Sequence, residues 1–261
     1  MKNKTFVREL KSFLWLCLLA LAIRTFIFEP YFVPTSSMVT TVLPNDYIFA
    51  TKYNYGFSKY SIPFTPNIFS GRILDFAAPK RGDVVVFYLP NTKQKRFIKR
   101  LIGLPGDTVQ IKNKMVYING KPVHKEYIGK YTDSDGLNFL KYKEVLPNGI
   151  EYDILELDLS EDFYVPYHMT HDTEIFKVPQ GFYFCMGDNR DRSNDSRGDL
   201  SFIPHESLIG KAQFVYFSTD SLLFQTNKSF LENIKGLYTW ISSIRVERLC
   251  KSLVPKYTKH D

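Results

Sequence analysis

From Ser12 to Phe28 the chain reads SFLWLCLLALAIRTFIF, apolar except for Arg24, and Lys2, Lys4, Arg8 and Lys11 precede it against Glu9 alone. A run of this length is near the lower limit for a spanning helix, and Arg24 is close enough to its end to snorkel toward lipid headgroups. The basic flank places residues 1–11 in the cytoplasm and the rest of the chain across the membrane. No small-x-small pattern closes the run; bulky RTFIFEPYF follows, so an uncleaved anchor is expected over 12–29.

Beyond the anchor the pattern shortens to that of strands. DYIFATKYNY alternates from Asp46 to Tyr55, and GDVVVFYLP predicts a buried strand between Gly82 and Pro90. KRFIKRLIGLPGDTVQIKNKMVYINGKPV holds three short strands parted by GLPGD and by the hairpin signals NKM and NGK. LIGKAQFVYFS predicts a late strand over Leu208–Ser218. Gly56 to Lys80 is rich in Pro, Gly and Ser and reads as a loop. Many short strands with frequent turns imply a mainly β domain of barrel or sandwich type. Its expected parts are 30–123 and 178–218, interrupted by a smaller, more polar β-region over 124–177. The tail, 219–261, carries Phe230, Ile234, Leu237, Ile241 and Ile244 at roughly helical spacing among Lys and Arg. That spacing suits an amphipathic helix lying on a membrane or packed on the domain.

The net charge of +7 fits either nucleic acid or an anionic lipid surface. The basic residues are scattered singly and no nucleic-acid motif is present, so nucleic acid is not an expected partner. Cys17, Cys185 and Cys250 lie too far apart in sequence for a metal motif or a disulfide framework; a single Cys185–Cys250 bond and free thiols both stay open.

Candidate chemistry begins at Thr35–Ser36–Ser37. On an extended chain Thr35 and Ser37 share one face and Ser36 points away, so one hydroxyl could attack while another donates a hydrogen bond. By itself the triplet reads equally as a polar exit from a membrane helix. In RFIKR the same alternation puts Lys99 beside Phe97, where desolvation would lower its pKa and free the amine to act as a base; most lysines are simply solvated. His124, His168, His171, His205 and His260 provide no nucleophile-elbow context. His168 and His171 lack a third ligand for zinc. GDNRDRSNDSRGD, from Gly187 to Asp199, could brace a turn beside a site, and its three arginines oppose a calcium loop.

PTSSM, GDVVVF, FIKRLIGLPGD and GDNRDRSNDSR, in this order behind the hydrophobic run, resemble bacterial type I signal peptidase. The resemblance covers the anchor and the four blocks and leaves 124–177 and the tail outside it. It implies a membrane-bound serine endopeptidase on a largely β fold, cutting signal peptides from exported preproteins after a small-x-small site, without metal or cofactor. Ser37 would be the nucleophile and Lys99 the general base. The Ser37 N–H and the Thr35 hydroxyl would form the oxyanion hole, Ser193 would orient the Lys99 amine, and Asp195 and Arg197 would pair to hold the loop. Tyr31, Val33, Phe97 and Ile98 would line the substrate cleft. The implied setting is the inner membrane beside the translocation machinery, with membrane lipid as a partner and the catalytic domain outside the cytoplasm. Ser36 and Thr40 depart from the Gly and Pro common in the family at those positions. A self-cleaving repressor of the same Ser/Lys fold would carry a DNA-binding domain in place of the anchor. A catalytically silent tethered β domain would lack cleavage altogether.

Overall fold

The computed structural model describes residues 2–62, 70–75, 77–90, 92, 96–158, 172–221 and 237–258. His168 and His171 and residues 222–236 of the proposed tail helix lie outside the described residues.

The chain opens on helix α1, Lys2–Phe26. Its apolar side chains face outward along its length, Trp15 being 72% exposed. Arg8, Glu9 and Lys11 near one end and Arg24 near the other leave only 12–23 uncharged. At 1.5 Å per residue that core is roughly 18 Å long, against roughly 30 Å of hydrocarbon. No helix among the described residues is long and apolar enough to cross a membrane. Within the anchor expected over 12–29 the helix stops at Phe26, because Phe28 already begins a strand.

The strands follow in close succession: β1 (Phe28–Val33), β2 (Asp46–Thr51), β3 (Phe57–Ser58), β4 (Arg72–Ile73), β5 (Val84–Tyr88) and β6 (Arg96–Gly103). Next come β7 (Thr108–Lys112), β8 (Met115–Ile118), β9 (Lys121–Pro122), β10 (His124–Thr132), β11 (Asn138–Val145) and β12 (Ile150–Leu157). The last are β13 (Phe176–Lys177), β14 (Phe182–Met186), β15 (Ile203–Pro204), β16 (Leu208–Ser218) and β17 (Lys256–Tyr257). The main sheet runs β1-β2-β16-β5-β6-β14-β15, with β1 at its edge. Pro30 is tolerated there because an edge strand has a side with no ladder partner to supply.

Val84, Val85, Val86 and Phe87 are all buried because both faces of β5 are covered. Val84 and Val86 join a cluster with Tyr31, Val33, Met38 and Ile48, whereas Val85 and Phe87 pack with Leu101 and Cys185. The same alternation divides β6: Ile98 packs on the first cluster, and Phe97 stacks on Phe87 at 5.6 Å between ring centroids. Lys99 therefore leaves the strand on the Phe97 side.

β10, β11, β12 and β17 form a separate sheet, within the region expected as an insertion for all but the last strand. Leu146, Ile150, Tyr152 and Ile154 from it share one core with Ile102, Val109 and Phe184. In the tail, among the described residues, Leu237–Ser242 forms a short α-helix, α2, and Val246–Arg248 a single 3-10 turn. The chain then runs beside β16, where the Val215 amide donates to the Lys251 carbonyl at 2.9 Å and the Leu253 amide to the Gln213 carbonyl at 2.7 Å. All three cysteines are free, Cys185 buried and the others exposed.

Candidate active site

β1 and β6 are separated in the main sheet by β2, β16 and β5, yet both border one cavity of about 510 Å³. Tyr31, Val33, Thr35, Ser37, Phe97, Ile98 and Lys99 all line it. Thus the fold gathers the four proposed cleft residues and the proposed reacting groups around one space.

Ser37 sits just past β1, where the chain turns under the cleft, with Met38 fully buried behind it. Lys99 Nζ lies 2.5 Å from Ser37 Oγ. Both side chains are deeply buried, at 6% and 4% exposure of the residues. Burial lowers the Lys99 pKa to about 8; the charge of Asp195 opposes that shift and Arg197 adds to it. A buried amine near neutrality, in hydrogen-bond reach of a hydroxyl, can remove the proton of that hydroxyl.

The turn from Gly187 to Asp199 braces Ser37 from behind. The Asn189 amide donates to the Ser37 carbonyl at 3.1 Å, and Asn189 Nδ2 donates to the Ser36 carbonyl at 3.2 Å. Asp195 takes Arg197 through both oxygens, at 2.9 and 2.8 Å, and also accepts the Gly187 amide at 2.9 Å. Burial alone would raise the Asp195 pKa, but Arg197 and the Gly187 amide hold it below the ordinary carboxylate value. Ser193 Oγ is buried without a hydrogen-bond partner. It stands against Gly187, where an added Cβ would lie 2.3 Å from Ser193 Oγ and 2.5 Å from the Ser37 carbonyl oxygen. The structure therefore seats Ser193 beside the Ser37 backbone, without a Ser193–Lys99 hydrogen bond. Ser36 is absent from the cavity lining, whereas Thr35 is part of it.

Two buried ion pairs, missed in the sequence, hold this scaffold. Arg100, next to Lys99 but on the opposite face, grips Asp188 at 2.8 and 2.6 Å; Thr41, four residues after Ser37, donates to the same carboxylate at 2.5 Å. Arg190 pairs with Glu144 of β11, tying the second sheet to the acidic block. For Arg100 the signal was an arginine at the buried phase of a strand, which demands a carboxylate partner. Among the described residues no group of His, Cys, Asp and Glu could hold a metal ion.

A family model described as "Signal peptidase, peptidase S26" matches residues 6–217. The chain is 47% identical over 255 residues to a signal peptidase I of Rickettsia prowazekii (strain Madrid E), covering 96% of this chain and 95% of that one. It is likewise 47% identical over 259 residues to a signal peptidase I of Rickettsia typhi (strain ATCC VR-144 / Wilmington), at 96% and 95% coverage. A crystal structure of a signal peptidase I from Enterococcus faecalis V583 is 28% identical and spans 51% of this chain and 96% of its own, with a TM-score of 0.31. That superposition is too loose to bear on the fold.

Proposed function

Because the chain belongs to the signal peptidase family S26, and so is a serine peptidase that removes signal peptides, we propose that it cuts with Ser37 and a neutral Lys99. The observation that carries this reading is the 2.5 Å contact between Lys99 Nζ and Ser37 Oγ at the floor of the cleft. The amine takes the hydroxyl proton as Ser37 Oγ adds to the scissile carbonyl, and returns it to the departing amine of the mature chain. The acyl group left on Ser37 is then released by a water that Lys99 deprotonates in turn. The Ser37 N–H and the Thr35 hydroxyl, at the cleft wall, stabilise the oxyanion. Ser193 steadies the lysine amine during the reaction; its buried hydroxyl, unpartnered at rest and seated against Gly187 beside the Ser37 backbone, is free to take that role. Asp195 and Arg197 fix the turn that carries it. Tyr31, Val33, Phe97 and Ile98 shape shallow subsites that admit small side chains at the first and third positions before the cut.

The same proposal sets the enzyme at the inner membrane, with α1 inserted, its N-terminus cytoplasmic and the β domain outside. Lys11 and Arg24 would snorkel from the two ends of the short apolar core toward opposite headgroup layers. Next to α1, Phe28, Phe49 and Tyr216 form a continuous aromatic contact, and Phe32, Tyr47, Phe217 and Trp240 extend it. Aromatic belts of this kind favour the membrane–water interface. Preproteins leaving the translocation machinery would meet the cleft at that surface.

Ser37→Ala in the full-length, detergent-solubilised enzyme should leave a preprotein uncut, whereas Ser36→Ala should keep most activity. Equal loss in both variants would refute the assignment of Ser37 as the sole nucleophile, and retained cutting by Ser37→Ala would refute the mechanism.

A further inference from the structure

At the end of the cleft nearest α1 lies a charge cluster that the mechanism does not use. Glu29 of β1 is buried, and fully buried Lys52 reaches its Oε2 at 2.8 Å. That one contact neutralises the carboxylate. Its other oxygen is left to two looser partners, Arg96 at 3.5 Å and Arg24 at 3.8 Å. Among the described residues three cations stand against this one carboxylate, and both guanidiniums reach solvent, with side chains 44% and 54% exposed.

Arg96 is the one of the two that lines the cavity. Its guanidinium lies over the Tyr31 ring, 5.6 Å from the centroid, so it is braced by both Glu29 and an aromatic face. Strand alternation puts it on the same side as Ile98. It precedes Lys99 by three residues, about 10 Å along a strand. An extended substrate alongside β6 covers that distance in about three residues. Because α1 ends at this mouth, the part of the substrate still in the membrane, upstream of the cut, enters here. The cavity lining also includes Arg192, which is paired with Asp133 at 2.7 Å, and Asp199, which accepts from Asn194 Nδ2 at 3.1 Å.

We infer that Arg96 is a specificity-determining residue that draws an acidic side chain about four residues before the cut and turns away a basic one. The inference rests on the proposed function for the direction in which the substrate lies. Full-length enzyme in detergent should be given three preprotein peptides that differ only at that position, with Glu, Ala or Lys. The expected order of kcat/KM is Glu over Ala over Lys, spread about tenfold or more at low salt, carried by KM and shrinking as salt is added. Arg96→Glu should invert the order and Arg96→Gln should flatten it, so the second variant decides if the first fails to fold. Equal rates on all three peptides, or an unchanged order in Arg96→Gln, would overturn the inference. In those cases cutting of the alanine peptide still supports the Ser37/Lys99 reading, whereas failure to cut any peptide counts against that reading itself.

Discussion

Gly187→Ala makes the sharpest structural test of the site, because the added methyl has nowhere to go. Its Cβ would lie 2.3 Å from Ser193 Oγ, 2.4 Å from Ser193 Cβ and 2.5 Å from the Ser37 carbonyl oxygen. Comfortable contacts between heavy atoms begin near 3.5 Å, so these neighbours must retreat by about 1 Å. The Ser37 carbonyl is backbone and already accepts the Asn189 amide at 3.1 Å, so it cannot yield without moving the nucleophile. Overpacking of this sort costs about 1–3 kcal/mol of stability. Displacing a reacting group by about 1 Å costs on the order of a hundredfold in rate. The assay is kcat on a preprotein peptide, with thermal unfolding of the same sample. The expected result is a folded protein, somewhat less stable, with kcat down about a hundredfold. Gly198→Ala is the control, since its Cβ would meet nothing nearer than Asn194 Oδ1 at 3.5 Å. Wild-type kcat in Gly187→Ala would refute the claim that this glycine seats Ser193 against Ser37.

Thr35→Ala should lower kcat by about 100- to 1,000-fold with little change in KM, the loss typical of one oxyanion donor; steady-state kinetics on the same peptide would show it. Asp188→Ala strands the buried Arg100 charge and frees Thr41 near the nucleophile. It should cost about 3–5 kcal/mol of stability in thermal or urea unfolding, whereas Thr41→Val should cost less than Asp188→Ala.

Where alternation or an apolar run was plain, the strands were legible in the sequence: Leu208–Ser218 is β16, and the VVVFY run is β5. The end of the hydrophobic anchor was not. In β1 the burial pattern inverts the usual expectation, with Phe28 and Phe32 exposed and Glu29 buried, so FIFEPYF reads as the close of a helix. Glu29 is compensated there chiefly by Lys52, distant in sequence and itself buried, with Arg96 and Arg24 farther off. In the tail the helical spacing corresponds to α2 over Leu237–Ser242, with Phe230 and Ile234 outside the described residues; past Ser242 the chain lies along β16, held by backbone bonds such as Leu253 to Gln213. At the site, resemblance to a family pointed to Ser37 and Lys99, 62 residues apart, and the fold sets them in contact. Alternation within β6 was legible and decides which way Lys99 faces. The positions of Asn189, Asp188 and Glu144 around that pair were not, because each depends on a partner far away in sequence.

The central claim is that a neutral Lys99 is the base. The direct measurement is kcat/KM against pH for the full-length wild-type enzyme on one preprotein peptide. Protonated Lys99 cannot accept the Ser37 proton, so activity should be low in acid and rise with pH through a single ionisation near the buried lysine's value of about 8. A profile that is flat through that range, or that rises at the ordinary histidine value near 6.5, would contradict it.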